Sequence, residues 1–240
     1  MSFLKAEWRN LAIANYVIDP ATLANYLPAG TELDLWEGKC YASLVGFMFK
    51  NTKLLGIKIP LHVNFEEVNL RFYVKRFENG MWKRGVVFIK EIVPKPALTL
   101  VANTIYNENY ETLPMHHNWE EIDTERVVTY QWKKNKQWQS FKIIAALETS
   151  EIKENSATEF ITEHYWGYAK VNENTTNEYE VTHPKWRQYK VKSSEIKVDF
   201  GVVYGTDFEF LNKLEPDSIM LAEGSEITVE GKKTIRTTIQ

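Results

Sequence analysis

Glu66-Glu67-Val68-Asn69-Leu70-Arg71-Phe72-Tyr73-Val74-Lys75-Arg76 decides how this chain is read. The stretch alternates without a break. Val68, Leu70, Phe72 and Val74 share one face of an extended strand, and Glu67, Asn69, Arg71, Tyr73 and Lys75 share the other. Asn79-Gly80 follows, a pair that tolerates positive φ and marks a tight hairpin. The return strand, 82–93, contains Val86-Val87-Phe88-Ile89, apolar on both faces in either register. A strand covered on both sides lies inside a structure. The polar face of Glu67 to Lys75 therefore neighbours a covered surface, and the wall of a partly enclosed polar pocket is expected there.

Outward from this hairpin the chain reads as strands with few helices. Residues 33–36 and 40–49 are predicted strands joined at Glu37-Gly38-Lys39. The second is apolar on both faces, with Tyr41, Val45, Phe47 and Phe49 on one and Ala42, Leu44 and Met48 on the other. Residues 126–132 and 138–147 form a second predicted hairpin, 165–171, 178–183 and 187–200 further strands, and 220–222, 226–230 and 233–238 short closing strands. Asp19-Pro20 reads as an N-cap followed by proline at the first helical position. Ser156-Ala157-Thr158-Glu159 reads as a capping box. Helical spacing is also read over 95–106, with a turn near 206–212. No linker or repeat divides the chain, so one domain over 1–240 is expected.

Composition supports a packed fold. The 240 residues include 8 Trp, 12 Tyr and 12 Phe against 11 Gly and 8 Pro, enough apolar surface to offset chain entropy. The net charge is −3 and neither half is a basic arm, which argues against nucleic acid as a partner. The longest apolar stretches, near 44–49 and 143–147, fall far short of a membrane span. A single cysteine, Cys40, excludes an internal disulfide, and the first residues carry no signal-peptide core, so a cytoplasmic location is expected.

Motifs exclude more than they assign. Phosphate loops, dinucleotide fingerprints, nucleophile elbows and paired Cys-x-x-Cys are absent. His116-His117 beside Glu120-Glu121 suggests a metal only if a third ligand comes from elsewhere, and no spacing supplies one; no metal and no cofactor is expected. The basic and aromatic run Trp132-Lys133-Lys134-Asn135-Lys136-Gln137-Trp138 reads as an exposed hairpin tip. Adjacent Glu66 and Glu67 point to opposite strand faces, so only one can reach a pocket. On the alternation, that is Glu67, with Asn69, Arg71 and Tyr73. An enclosed arginine needs a carboxylate or an anionic ligand. Arg71 is therefore read as an anion holder with Glu67 as its partner, the alternative being a structural ion pair.

Several segments together resemble a known family: Ala6-Glu7-Trp8-Arg9, Leu27-Pro28-Ala29-Gly30-Thr31-Glu32-Leu33-Asp34, the stretch from Asn64 to Val74, Tyr106-Asn107-Glu108-Asn109-Tyr110 with Leu113-Pro114-Met115, and the stretch from Phe160 to Tyr168. The chain resembles the YqjF-like proteins of unassigned function, a family similar in fold to acetoacetate decarboxylase. The resemblance implies an α+β, β-rich architecture: a partly closed β-barrel of double-sheet character, flanked by a few short helices, with a central cavity. In acetoacetate decarboxylase a lysine following a proline forms a Schiff base. The corresponding stretch here is Leu113-Pro114-Met115-His116, with Met115 where the amine would stand. The resemblance thus implies the fold without that chemistry. The function expected is binding of a small organic anion in the cavity, with Arg71, Glu67, Asn69, Tyr73, Tyr106, Asn109, Met115 and His116 as candidate liners. The alternatives are a lysine-independent enzyme using Glu67 and His116 as acid and base, and a structural or interaction protein. A small-molecule partner and a homo-oligomer are compatible with the sequence.

Overall fold

The computed structural model describes residues 2–237, the side chain of Tyr106 excepted. Fourteen strands dominate these residues: β1 (Leu4–Ile18), β2 (Glu32–Leu33), β3 (Cys40–Leu54), β4 (Phe65–Glu78), β5 (Met81–Val93), β6 (Tyr110–Thr112), β7 (Met115–Ile122), β8 (Glu125–Lys134), β9 (Gln137–Glu151), β10 (Trp166–Asn172), β11 (Thr175–Thr182), β12 (Arg187–Lys197), β13 (Ser218–Val229) and β14 (Lys233–Arg236). Three short helices, α1 (Pro96–Val101), α2 (Ala157–Thr162) and α3 (Phe200–Tyr204), lie between them. None of the helices is long and apolar enough to cross a membrane.

Strands β11, β10, β5, β4, β3, β1 and β13 lie side by side in that order. Strand β11 also pairs with β13 through Val181 with Val229 and Thr182 with Thr228, which closes these seven strands into a ring. From β13 the sheet continues outward through β12, β9, β8 and β7 and supplies a second layer. The shared strands β1, β3, β4 and β5 therefore carry a core on each face. The ring interior holds Tyr41, Val45, Phe47, Phe49 and Phe65. The opposite face packs Ala42, Leu44, Met48, Val68, Leu70 and Phe72 against Val128, Tyr130, Trp132, Phe141 and Ile143 of the second layer, with Phe200 of α3 at its edge. The division of β3 into two apolar faces follows the alternation of its sequence residue for residue.

The structure departs from the sequence reading at several elements. The longest unforeseen strand is β1: it is buried on both faces from Leu11 to Tyr16, so it shows no alternation to read. Residues 34–36 are not strand; Trp36 bridges Lys39 across a tight turn instead. The two short strands expected at 220–222 and 226–230 are the single strand β13, which runs through Gly224 at a φ of 82°, where a side chain would strike the Trp8 carbonyl at 2.0 Å. Residues 115–122, assigned to no element from the sequence, form strand β7. The helical segment divides into α1 and a π turn, Ala102–Tyr106. Of the last expected strand, 233–236 is observed and Thr238 lies outside the described residues.

Local signals read from sequence reappear where the chemistry requires them. Asp19 Oδ1 accepts from the Ala21 amide at 2.9 Å and starts a 3-10 turn at Pro20. Ser156 Oγ accepts from the Glu159 amide at 3.2 Å, whereas the Glu159 carboxylate takes the Asn155 amide rather than that of Ser156. At the β8–β9 tip, Lys133 Nζ sits 5.7 Å from the centre of the Trp138 ring.

Candidate functional site

The ring encloses a cavity of about 210 Å³, to which all seven of its strands contribute. The floor is the polar face of β4. Residues Phe65, Glu67, Asn69 and Arg71 project into the cavity in turn, two residues apart. Cross-strand pairing sets their neighbours: Phe49 beside Phe65, Phe47 beside Glu67, Glu91 beside Asn69, and Phe88 beside Arg71. Tyr110 of β6 lies beside Glu91 in turn. The rest of the wall is mostly apolar, broken by Thr52, Glu108, Thr162 and the rings of His62, His164 and His183, and Leu98 and Val101 of α1 also line it.

A β-bulge in β5 selects which residues face inward. Pairing runs Arg71 with Phe88 and then Leu70 with Lys90, so Ile89 is the extra residue. Phe88 and Glu91 consequently both face the cavity. Ile89 joins the opposite core, and Lys90 Nζ donates to the Val203 carbonyl at 2.6 Å on that side. No lysine is found among the described residues that line the cavity.

Three carboxyl groups converge there. Glu67 accepts from Asn69 Nδ2 at 2.9 Å and from the Tyr110 hydroxyl at 3.2 Å. Glu108 accepts from the Tyr179 hydroxyl at 2.8 Å. Glu91 is 2 % exposed and its Oε2 has no hydrogen-bond partner among the described residues. Burial pushes all three upward, Glu67 and Glu108 to about 7 and Glu91 well above its ordinary value, against the pull of these donors and of the Arg71 charge on Glu67. The mutual repulsion of the carboxylates adds to the rise at Glu91 and Glu108. Near neutral pH the group holds shared protons rather than three negative charges.

Arg71 is 7 % exposed, and its Cζ lies 5.6 Å from the centre of the Tyr73 ring. Its Nε has no hydrogen-bond partner among the described residues. Four residues along a strand separate Glu67 from Arg71 by about 13 Å at the Cα atoms, with Asn69 between them. The two therefore do not form the ion pair expected from their shared face. The neighbouring pair uses other residues: Arg84 Nε donates to Asp34 Oδ2 at 2.6 Å, and His164 Nε2 lies 3.2 Å from the same oxygen. Burial lowers His164 to about 4 despite that carboxylate, so the ring is neutral, and its Nδ1 has no partner among the described residues.

The remaining sequence candidates lie elsewhere. Tyr73 is buried, but its hydroxyl donates to Ser43 Oγ at 2.8 Å, which donates to Asn15 Oδ1 at 2.6 Å, so it belongs to a closed polar chain beside the cavity. Asn109 Nδ2 donates to the Ile89 carbonyl at 2.7 Å while its own carbonyl accepts from the Glu91 amide at 3.0 Å, which clamps the bulge. Met115 is buried in the core between the layers, opposite Trp132 and away from the cavity. His116 is exposed on β7, its ring 5.2 Å from that of Trp138. The next residue, His117, points the other way and pairs with Glu66 at 2.6 Å. The side chain of Tyr106 lies outside the described residues. Sequence reasoning missed Glu91, Glu108, Tyr110, Tyr179 and His164. A lone acid inside the apolar run of β5 was the available sign of the first.

This chain and its fold have relatives. A model of the DUF2071 family, described as an uncharacterized conserved protein, matches residues 5–226. The chain belongs to that family. It is 27% identical over 108 residues to the uncharacterized protein YqjF of Bacillus subtilis, a match that spans 45% of this chain and 43% of that relative's length. Among solved structures it is similar to an acetoacetate decarboxylase-like enzyme from Sphingomonas wittichii (TM-score 0.64, 12% identity, 99% of this chain and 95% of the other). It is also similar to acetoacetate decarboxylase from Legionella pneumophila (TM-score 0.66, 11% identity, 97% and 86%). A third is the enduracididine biosynthesis enzyme MppR complexed with pyruvate (TM-score 0.65, 11% identity, 98% and 91%). At such identities the likeness is one of fold.

Proposed function

We propose that this DUF2071 protein binds a small organic anion in the ring cavity, with its carboxylate on Arg71. The carrying observation is a buried guanidinium facing the cavity whose Nε lacks an acceptor. A buried cation without a counter-charge is costly unless a ligand provides one. Below about pH 7 the carboxyl groups nearby are protonated and do not cancel it, and the apolar walls strengthen any charge pairing made inside. One neighbour in fold carries pyruvate, itself a small carboxylate.

Schiff-base chemistry is not part of this reading, because the bulge turns Lys90 out and Met115 lies in the other core. Two measurements test the proposal. Arg71→Gln should weaken carboxylate binding at least tenfold, read by titration calorimetry, with an unchanged circular dichroism spectrum. Equal affinity in the variant would refute it. Borohydride treatment with acetoacetate should leave no adduct, and a lysine adduct in the cavity would restore the decarboxylase chemistry.

Glu67 and His164 favour a second reading, acid–base catalysis on the bound anion. Glu67 titrates near the pH of use, and Asp34 holds His164 by one nitrogen and leaves the other free to accept. In this reading His164 takes the role that the sequence assigned to His116.

A further inference from the structure

We infer that the ligand is an aryl-substituted carboxylic acid with one hydroxyl or carbonyl group between the ring and the carboxylate. This rests on the proposal that Arg71 holds an anion and adds what the rest of the cavity selects.

Strand β4 lays out three zones in order. At one end, Phe65 stacks on Phe49 with ring centres 4.7 Å apart. Trp8 meets Phe47 and Phe49 edge-on at 5.2 and 5.9 Å. Edges and faces so arranged accept a further aromatic ring in the same geometry. In the middle, Asn69 and Glu91 are paired across one rung of the sheet, and Asn69 Oδ1 and Glu91 Oε2 are both buried and without a partner among the described residues. A raised Glu91 carboxyl can donate a proton and Asn69 Oδ1 can accept one, which suits a hydroxyl or a carbonyl in that position. At the far end stands Arg71. The order aryl, hydrogen-bonding group, carboxylate therefore follows the order of the residues.

Size limits the class further. At the packing density of protein interiors, about 0.74, a 210 Å³ cavity holds a molecule of roughly 155 Å³. That is the volume of a phenyl ring joined to a three- or four-carbon acid.

The test is a nested set of probes titrated into the full chain at pH 6, where the carboxyl groups are protonated. The parent is 3-hydroxy-4-phenylbutyrate. 3-Hydroxybutyrate removes the ring, 4-phenylbutyrate the hydroxyl, and 1-phenyl-2-propanol the carboxylate. The parent is expected to bind at least tenfold tighter than each of the other three. Equal affinity for 3-hydroxybutyrate overturns the aryl zone, and equal affinity for 4-phenylbutyrate overturns the central one. In both cases anion binding at Arg71 survives. Equal affinity for the alcohol, or no binding by any carboxylate, overturns the anion proposal itself and this inference with it. In Arg71→Gln, the advantage of the parent over 1-phenyl-2-propanol should vanish, and its persistence would place the carboxylate elsewhere.

Discussion

Glu91 is a residue whose cost to the fold can be measured. Its carboxyl is buried, its Oε2 unpaired and its proton affinity raised, and nothing in its packing requires a charge. Above its unfolded value a raised acid binds its proton more tightly in the folded state, so it penalises folding as the pH climbs. Glu91→Gln keeps the shape and removes that penalty. The variant should be more stable than the parent at pH 8 by about 1–3 kcal/mol, several degrees in Tm, with the difference shrinking toward pH 5. A differential scanning calorimetry pair at the two pH values checks this, and a variant less stable at pH 8 would mean the carboxylate is held ionised. At this scale the sequence disclosed Glu67, Asn69 and Arg71, because strict alternation on β4 assigns each to one face. It did not disclose His164 or Glu108, which come from turns whose direction no periodicity encodes. It misled at Asn109 and Tyr73, whose polar atoms are used up on the fold's own backbone and buried hydroxyls.

Among the elements, β5 shows how one residue decides the chemistry of a site. Counting back from the Asn79-Gly80 turn pairs Asn69 with Lys90 and would place an amine in the cavity. The bulge at Ile89 moves the pairing to Glu91 and replaces it with an acid. A hairpin signal sets register near the turn, but a bulge is stabilised from outside the hairpin, here by Asn109, and so leaves no mark in the alternation. Strand β10 carries a comparable device. Gly167, the second residue of β10, lies opposite Tyr179, and a methyl group on it would fall 2.1 Å from that ring. Gly167→Ala must displace the ring whose hydroxyl holds Glu108. We expect a loss of about 1–3 kcal/mol in urea unfolding, together with weaker anion binding. Unchanged stability would show that Tyr179 moves freely. Strands anchored by a clear turn were readable even where both faces are buried, as β3, β4 and β5 show, whereas β1, buried on both faces from Leu11 to Tyr16 with no hairpin turn beside it, was not.

For the molecule as a whole, acids of opposite kinds set the pH profile. Glu78, lowered to about 2 by Lys83, Arg76 and Lys233, and Asp34, lowered by His164 and Arg84 against its burial, stabilise the fold above their unfolded values and lose that contribution as pH falls. Glu67, Glu108 and Glu91 act in the other direction between about pH 4.5 and 7, where the folded state retains protons that the unfolded chain has released. His164, neutral in the fold down to about 4, and His183, also lowered by burial, oppose them below 6.5 but are two groups against three. Stability should peak near about pH 5 and decline toward 7. Carboxylate affinity should likewise rise as the pH drops from 8 to 6, since the acids around Arg71 lose their negative charge. Calorimetric titration across that range checks the binding, and a rise in affinity toward pH 8 would contradict it. The pairing of β1 has a consequence for synthesis on the ribosome. This early strand lies between β3 and β13, so one of its two neighbours ends at Val229. At about 5–20 residues per second, β1 waits roughly 10–45 s for that partner to be made. Through that interval a long apolar edge is open to any other nascent chain, and the protein's yield in cells should depend on what shields it.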